Sequence, residues 1–255
     1  MTITTFYFSG TGNTQWAVST LNQRLTSVGH HADAYPIENQ LSDDQVISLL
    51  ESSDVLGFAY PLYGANIPRI MRQFIHRIIS LARTQGLNKK NIFLVNTFGY
   101  VNGHGIFCAK KVLQDSPFKI VGYINLRLTN SAPSKTKGRA FVGRHLPDHF
   151  KQNAGRKLSQ FVKRLNHGQR MINGIGPHLL VGMLIRHILR EEINANYKNM
   201  RVDMNKCTRC LLCVKQCPTK SITHYDGQFS FSSTCEACMR CYHLCPTEAI
   251  SNFKS

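Results

Sequence analysis

The sequence predicts an α/β fold over its first two thirds and a small α+β module at its C-terminal end. Three observations carry this. Short β-branched or aromatic runs alternate with helical stripes as far as about residue 165. A basic stretch of weak pattern and a Gly/Pro break follow. Eight of the nine cysteines then lie between 207 and 245, in two copies of one spacing. A chain of 255 residues suits one large domain or two smaller ones. A hydrophobic fraction of 42% supports a buried core and excludes a disordered or fibrous chain. The longest apolar run, near Leu179–Ile185, falls far short of the ~20 residues of a membrane span. The N-terminal MTITTFYFSG lacks the basic start and apolar stretch of a secretory signal, so a cytoplasmic location is expected.

The elements follow in order. Ile3–Phe8 reads as a first strand. Thr14–Val28 carries apolar residues at 17, 18, 21, 25 and 28, the stripe of a helix. Further strands are expected at Ala32–Tyr35, Val55–Tyr60, Ile92–Thr97 and Ile120–Leu128, with helices at about 43–52, 67–84 and 105–115 between them. Such alternation implies a five-stranded parallel sheet covered on both faces. Asp148–Leu165 supplies the last covering helix, with Asp148 expected as its N-cap. Residues 131–147 read as a basic loop. Residues 171–204 read as a linker holding one helix, His178–Glu192. The expected domains are therefore 1–170, a linker 171–204, and 205–255.

The cysteines give the strongest signal. Cys207-x2-Cys210-x2-Cys213-x3-Cys217-Pro218 is followed by Cys235-x2-Cys238-x2-Cys241-x3-Cys245-Pro246. Three thiolates two residues apart wrap one [4Fe-4S] cube, and the fourth, beside proline, ligates the other cube. Cluster one is thus assigned to Cys207, Cys210, Cys213 and Cys245, and cluster two to Cys235, Cys238, Cys241 and Cys217. Ile222 and Ile250, each five residues past a fourth cysteine, would keep water away. Structural zinc ribbons use two CxxC pairs per metal, a different pattern. Cys108, inside a helical stripe, reads as a buried thiol packed like a small hydrophobe. His243, between two of these cysteines, reads as a surface residue. The region 205–253 resembles bacterial two-cluster ferredoxins over its whole length.

A second signal lies where the first strand meets its helix: Ser9-Gly10-Thr11-Gly12-Asn13-Thr14. Glycines and small hydroxyl residues let backbone N–H groups at a helix start curl around a phosphate. Neither a P-loop nor a G-x-G-x-x-G pattern is present, and no Lys or Arg lies in the loop. A phosphate monoester held by neutral donors fits. SGTGNT resembles the FMN-phosphate loop of flavodoxins and stands where that family has it. Two later loops follow in order, after the third and fourth strands: Tyr60–Asn66, containing Pro61, Leu62, Tyr63 and Gly64, and Thr97–Gly105, containing Phe98, Gly99, Tyr100, Gly103 and Gly105. In flavodoxin-like folds the flavin ring lies between these loops, which implies FMN here, with Tyr63 or Tyr100 stacked on it. The whole is similar to the flavodoxin–ferredoxin fusion proteins of anaerobic microbes: a flavodoxin-like five-stranded parallel sheet with a small two-cluster ferredoxin-like domain.

That resemblance implies electron transfer between two [4Fe-4S] clusters and FMN, on to an undefined acceptor. No catalytic acid or base stands out. The alternatives are a non-enzymatic carrier that docks another reductase, and an iron–sulfur protein that senses redox state. The departure from the family is charge. The chain carries +17, of which +11 lies in residues 130–206. Ten Lys and Arg fall between Lys135 and Arg170. After two clusters and a flavin phosphate the protein still carries roughly +11. A basic surface attracts an acidic redox partner, such as a ferredoxin or flavodoxin. A small-molecule acceptor is the other candidate partner. No nucleic-acid motif or interleaved aromatics accompany the charge. Pro177–Ile193, with Arg186 and Arg190, permits peripheral membrane contact, although packing between domains is the preferred reading.

Overall fold

The computed structural model describes residues 1–64, 66–87, 89–100, 102, 105–131, 146–173 and 196–252. The expected helix His178–Glu192 and most of the basic loop 131–147 lie outside these residues, as does Gly103.

The first part is a doubly wound α/β sheet. Its strands are β1 (Thr2–Tyr7), β2 (His31–Pro36), β3 (Val55–Pro61), β4 (Asn91–Phe98), β5 (Lys119–Arg127) and β6 (Met171–Ile172). They lie in the order β2-β1-β3-β4-β5-β6, and every pairing is parallel. Five strands were expected and six are present among the described residues. The sixth is two residues long, too short to leave a pattern in sequence. It extends the sheet two residues past the expected boundary at 170.

The helices are α1 (Asn13–Ser27), α2 (Asp43–Ser52), α3 (Arg69–Thr84), α4 (Gly105–Val112) and α5 (Asp148–Asn166). Side-chain alternation along the strands divides the core into two layers. Phe6, Leu56, Phe58, Tyr60, Ile92 and Leu94 pack under α2, α3 and α4. Ile3, Val55, Ala59, Phe93, Val95 and Ile124 pack under α1 and α5. Burial of both faces explains the near-continuous apolar strands. Asp148 is the first residue of α5 rather than its cap, and Pro147 holds the cap position. Proline's fixed φ of −57° there suits the turn into a helix. Cys108 is 5% exposed within the core.

The C-terminal module contains β7 (Met200–Val202), α6 (Leu212–Lys215), β8 (Ile222–Tyr225), β9 (Gln228–Phe231), α7 (Arg240–Leu244) and β10 (Ile250–Asn252). Strand β7 pairs antiparallel with β10, and β8 with β9. A small core of Met200, Met239, Tyr242 and Ile250 lies between them. Among the described residues, no helix is long and apolar enough to cross a membrane.

Candidate functional site

The site grows from the carboxyl ends of β1, β3, β4 and β5. Strands β1 and β3 lead off to opposite sides, which opens a crevice at this switch point. Helix α1 begins there with Gly12 as its cap, at φ +96°, with no side-chain cap and no acidic residue in its first turn. The contrast with α2 is informative, because Ser42 and Gln45 close a full capping box there. A helix start whose N-cap residue has no side chain lets a ligand approach the first-turn N–H groups and the positive dipole end, which suits an anion. Ser9 Oγ accepts from the N–H groups of Gly12 and Gln15, each at 3.1 Å, and so holds the loop in shape.

Hydroxyls knit this loop to its neighbours. Thr14 Oγ1 lies 2.9 Å from Thr97 Oγ1 at the end of β4. Thr11 Oγ1 lies 2.8 Å from Ser131 Oγ, and Asn13 Nδ2 donates to the Thr129 carbonyl at 2.9 Å. Together they line a cleft of about 200 Å³ that opens to solvent. Its wall brings together Ser9, Gly10, Thr11, Asn13, Thr14, Pro61, Leu62, Tyr63, Gly64, Thr97, Phe98 and Gly99. Among the described residues, none that lines the cleft carries a charge.

Three expected residues sit elsewhere. Gly12 acts as the α1 cap behind the wall. Tyr100 is 70% exposed and does not line the cleft. Gly105 starts α4, where a Cβ would lie 2.4 Å from the Tyr123 hydroxyl; close packing, not ligand approach, requires glycine at that position. Five lining residues escaped the sequence reading: Thr129, Asn130, Ser131, Ala237 and Met239. The first three follow β5 directly, a position that the parallel topology marks as a ligand-facing loop. Ala237 and Met239 come from the cysteine module, and no local signal could have placed them here.

The cysteines build two repeats of one backbone. Positive φ recurs at Arg209, Leu211 and Lys220, and again at Ala237, Met239 and Glu248, 28 residues later in each case. Non-glycine residues hold this conformation only where their surroundings impose it. Here it turns N–H groups toward sulfur. Arg209 and Ala237 donate to Cys207 and Cys235 Sγ, each at 3.4 Å. Ser221 and Ala249 donate to Cys217 and Cys245 Sγ, each at 3.3 Å.

Electrostatic coupling sorts the thiols. Cys213 feels Cys210 and Cys245, whereas Cys241 feels Cys238, Cys235 and Cys217. Among the described residues, no three His, Cys, Asp or Glu side chains close on a single ion. Burial pushes the Cys238 thiol up to about 12 and raises Cys241 and Cys235. Burial also acts against ionisation of Cys217, but hydrogen bonds from Ser221 and Thr219 outweigh it and bring the thiol down. Cys245 is lowered in the same way by Ala249 and Thr247. Donors aimed at sulfur favour thiolate, the form that ligates iron.

The two parts meet at the cleft. A Cβ on Gly10 would lie 2.3 Å from the Tyr63 hydroxyl and 2.9 Å from both Cβ and the carbonyl oxygen of Cys238. Arg240 donates from Nη2 to the Ser9 carbonyl (2.6 Å), from Nε to the Gly10 carbonyl (3.0 Å) and from Nη1 to the Gln216 carbonyl (3.2 Å). It also grips both oxygens of Glu38, at 2.5 and 2.7 Å. Glu236 accepts from the Arg69 and Ile70 N–H groups at 3.0 and 2.9 Å, so the cysteine module caps α3, where charge and dipole agree. His243 Nε2 lies 2.9 Å from the Ser131 carbonyl oxygen. It belongs to this junction and is only half-buried.

The fold and site define a flavodoxin-like domain joined to a ferredoxin-type iron–sulfur domain. The 4Fe-4S binding domain family matches residues 200–223, the first cysteine motif. No curated protein matches. A flavo di-iron protein mutant from Thermotoga maritima aligns over 66% of this chain and 35% of its own, with TM-score 0.46 and 16% identity. The flavodiiron protein from Giardia intestinalis aligns over 65% and 36%, with TM-score 0.46 and 15% identity. The two-electron reduced flavodoxin of Megasphaera elsdenii aligns over 62% and 98%, with TM-score 0.42 and 18% identity. This chain spans about a third of the length of the flavodiiron proteins it matches.

Proposed function

We propose that this protein is an FMN- and iron–sulfur-dependent oxidoreductase that passes electrons between two [4Fe-4S] clusters and FMN, and on to an acceptor. One observation carries the reading. Ala237 and Met239, on either side of Cys238, line the same cleft as the Ser9–Thr14 loop, and Cys238 backs onto Gly10. FMN would supply one- and two-electron chemistry, and the clusters single-electron chemistry.

The chain's own residues have clear tasks. The hydroxyls of Ser9, Thr11 and Thr14 and the α1 N–H groups would bind the phosphate. Segments 61–64 and 97–99 would flank the ring. Cys207, Cys210, Cys213 and Cys245 would hold one cluster, and Cys235, Cys238, Cys241 and Cys217 the other. Buried Cys238 and Met239 exclude water between the second motif and the cleft. Residues 1–170, with β6, would form the flavin domain, 171–204 a connection and 205–255 the cluster domain. A cytoplasmic location suits thiols that must stay reduced.

Anaerobic purification with flavin, iron and sulfide analysis tests this. The expected content per chain is about one FMN and about eight each of iron and sulfide. A protein without flavin overturns the reading. Cys245→Ala is a second test. It is expected to abolish the cluster of the first motif, leave that of the second, and halve the iron. Loss of the second motif's cluster instead would refute the crossed ligation.

A further inference from the structure

The two cysteine motifs share a backbone but not an environment. In the second, Glu236 caps α3, Ala237 and Met239 line the cleft, Cys238 is buried, and Arg240 and His243 bond the flavodoxin-like domain. Their counterparts 28 residues earlier are Thr208, Arg209, Leu211, Cys210, Leu212 and Lys215. Thr208, Arg209, Cys210 and Lys215 are exposed. Cys210 is the one exposed thiol of the eight, whereas Cys238 is buried. The first motif therefore presents to solvent the same face that the second uses to dock.

The charges on the two faces also differ. Lys206, Arg209, Lys215 and Lys220 stand where the second motif has Thr234, Ala237, His243 and Glu248. All four cations are exposed. Lys206 pairs with Asp203 at 3.8 Å. An exposed ligand within a basic rim is reached most readily by an electron carrier with an acidic surface, because opposite charge speeds and orients encounter.

Resting on the function proposed above, we infer that the Cys210 face is the docking surface for an acidic one-electron carrier protein, and that the basic helix α5 is not. One electron leaves the reduced carrier, which is oxidised by one equivalent, and is taken up at the first motif. No bond forms or breaks.

The test uses the holoprotein under anaerobic conditions, mixed in a stopped-flow instrument with a reduced, small, acidic two-cluster bacterial ferredoxin. The expected rate falls as salt rises. In Lys206→Glu/Lys215→Glu the low-salt rate is expected to drop roughly tenfold or more, with a flattened salt profile. Reduction by dithionite, and the flavin and iron contents, stay unchanged. At about 0.1 M ionic strength, where the Debye length is about 10 Å, Arg156→Glu/Lys163→Glu on α5, which is not part of this face, is expected to stay within about twofold of the parent rate. A parent rate indifferent to salt, an unaffected Lys206/Lys215 variant, or an equal slowing by the α5 variant overturns the inference. Cofactor analysis before mixing separates the two readings. A protein that carries both cofactors yet fails these tests refutes only the docking surface, whereas one without flavin refutes the function itself.

Discussion

Gly10→Ala is expected to loosen the junction between the domains and release flavin. The added methyl would meet the Tyr63 hydroxyl at 2.3 Å and Cys238 Cβ and carbonyl oxygen at 2.9 Å. Tyr63 is the far end of a side chain and can move. Cys238 cannot, since its backbone is fixed by the motif and its side chain is buried. Either the loop retreats into the cleft or the cysteine module lifts away. Overpacking of this kind costs about 1–3 kcal/mol, seen as a lower urea midpoint. Flavin affinity is expected to fall about tenfold or more, since about 1.4 kcal/mol is a tenfold change. Fluorescence titration of the apoprotein with FMN checks this. Gly10→Ala/Tyr63→Phe should recover little of the loss, because the clash with Cys238 persists. Parent-like stability and flavin binding in Gly10→Ala would contradict the close approach.

Arg240→Gln should uncouple the two halves with the cofactors still bound. The guanidinium satisfies three carbonyls and one carboxylate at once. Its side chain is 16% exposed and that of Glu38 20%. Removing one partner leaves Glu38 charged, largely desolvated and unpaired. The cost for a fully buried pair is about 3–5 kcal/mol. Partial exposure puts this one at the low end, about 2–3 kcal/mol. The expected signature is faster proteolysis between the domains and slower electron exchange between clusters and flavin after flash reduction, with iron and flavin contents retained. Arg240→Lys should rescue poorly, because an ammonium lacks the planar fork that grips two carboxylate oxygens. Unchanged exchange kinetics in Arg240→Gln would show that the clasp does not set the cofactor spacing.

Much of the fold was legible because its signals are local. The β-branched runs of β1, β3 and β4 and the stripes of α1, α3 and α5 need only their own residues to declare themselves, and each formed within a residue or two of its expected bounds. β6 was not legible, since two residues carry no period and pair only because β5 offers a free edge. The Ser9–Thr14 turn was readable from its glycines and hydroxyls. Tyr100 marks the limit of such local signals: an aromatic next to a glycine loop looks the same in sequence whether it faces the cleft or, as here, solvent.

The residues themselves dictated the doubly wound sheet, the uncharged loop at its first helix and the spacing of eight thiols, because backbone propensity and ligand geometry act over a few neighbouring positions. Only the tertiary structure decided that the second cysteine motif, not the first, closes the cleft. That choice rests on Arg240 reaching Ser9 and Glu38, and Glu236 reaching α3, across more than 160 positions of chain. Two repeats identical in spacing differ in role because just one carries side chains complementary to a surface that exists only once the sheet has folded.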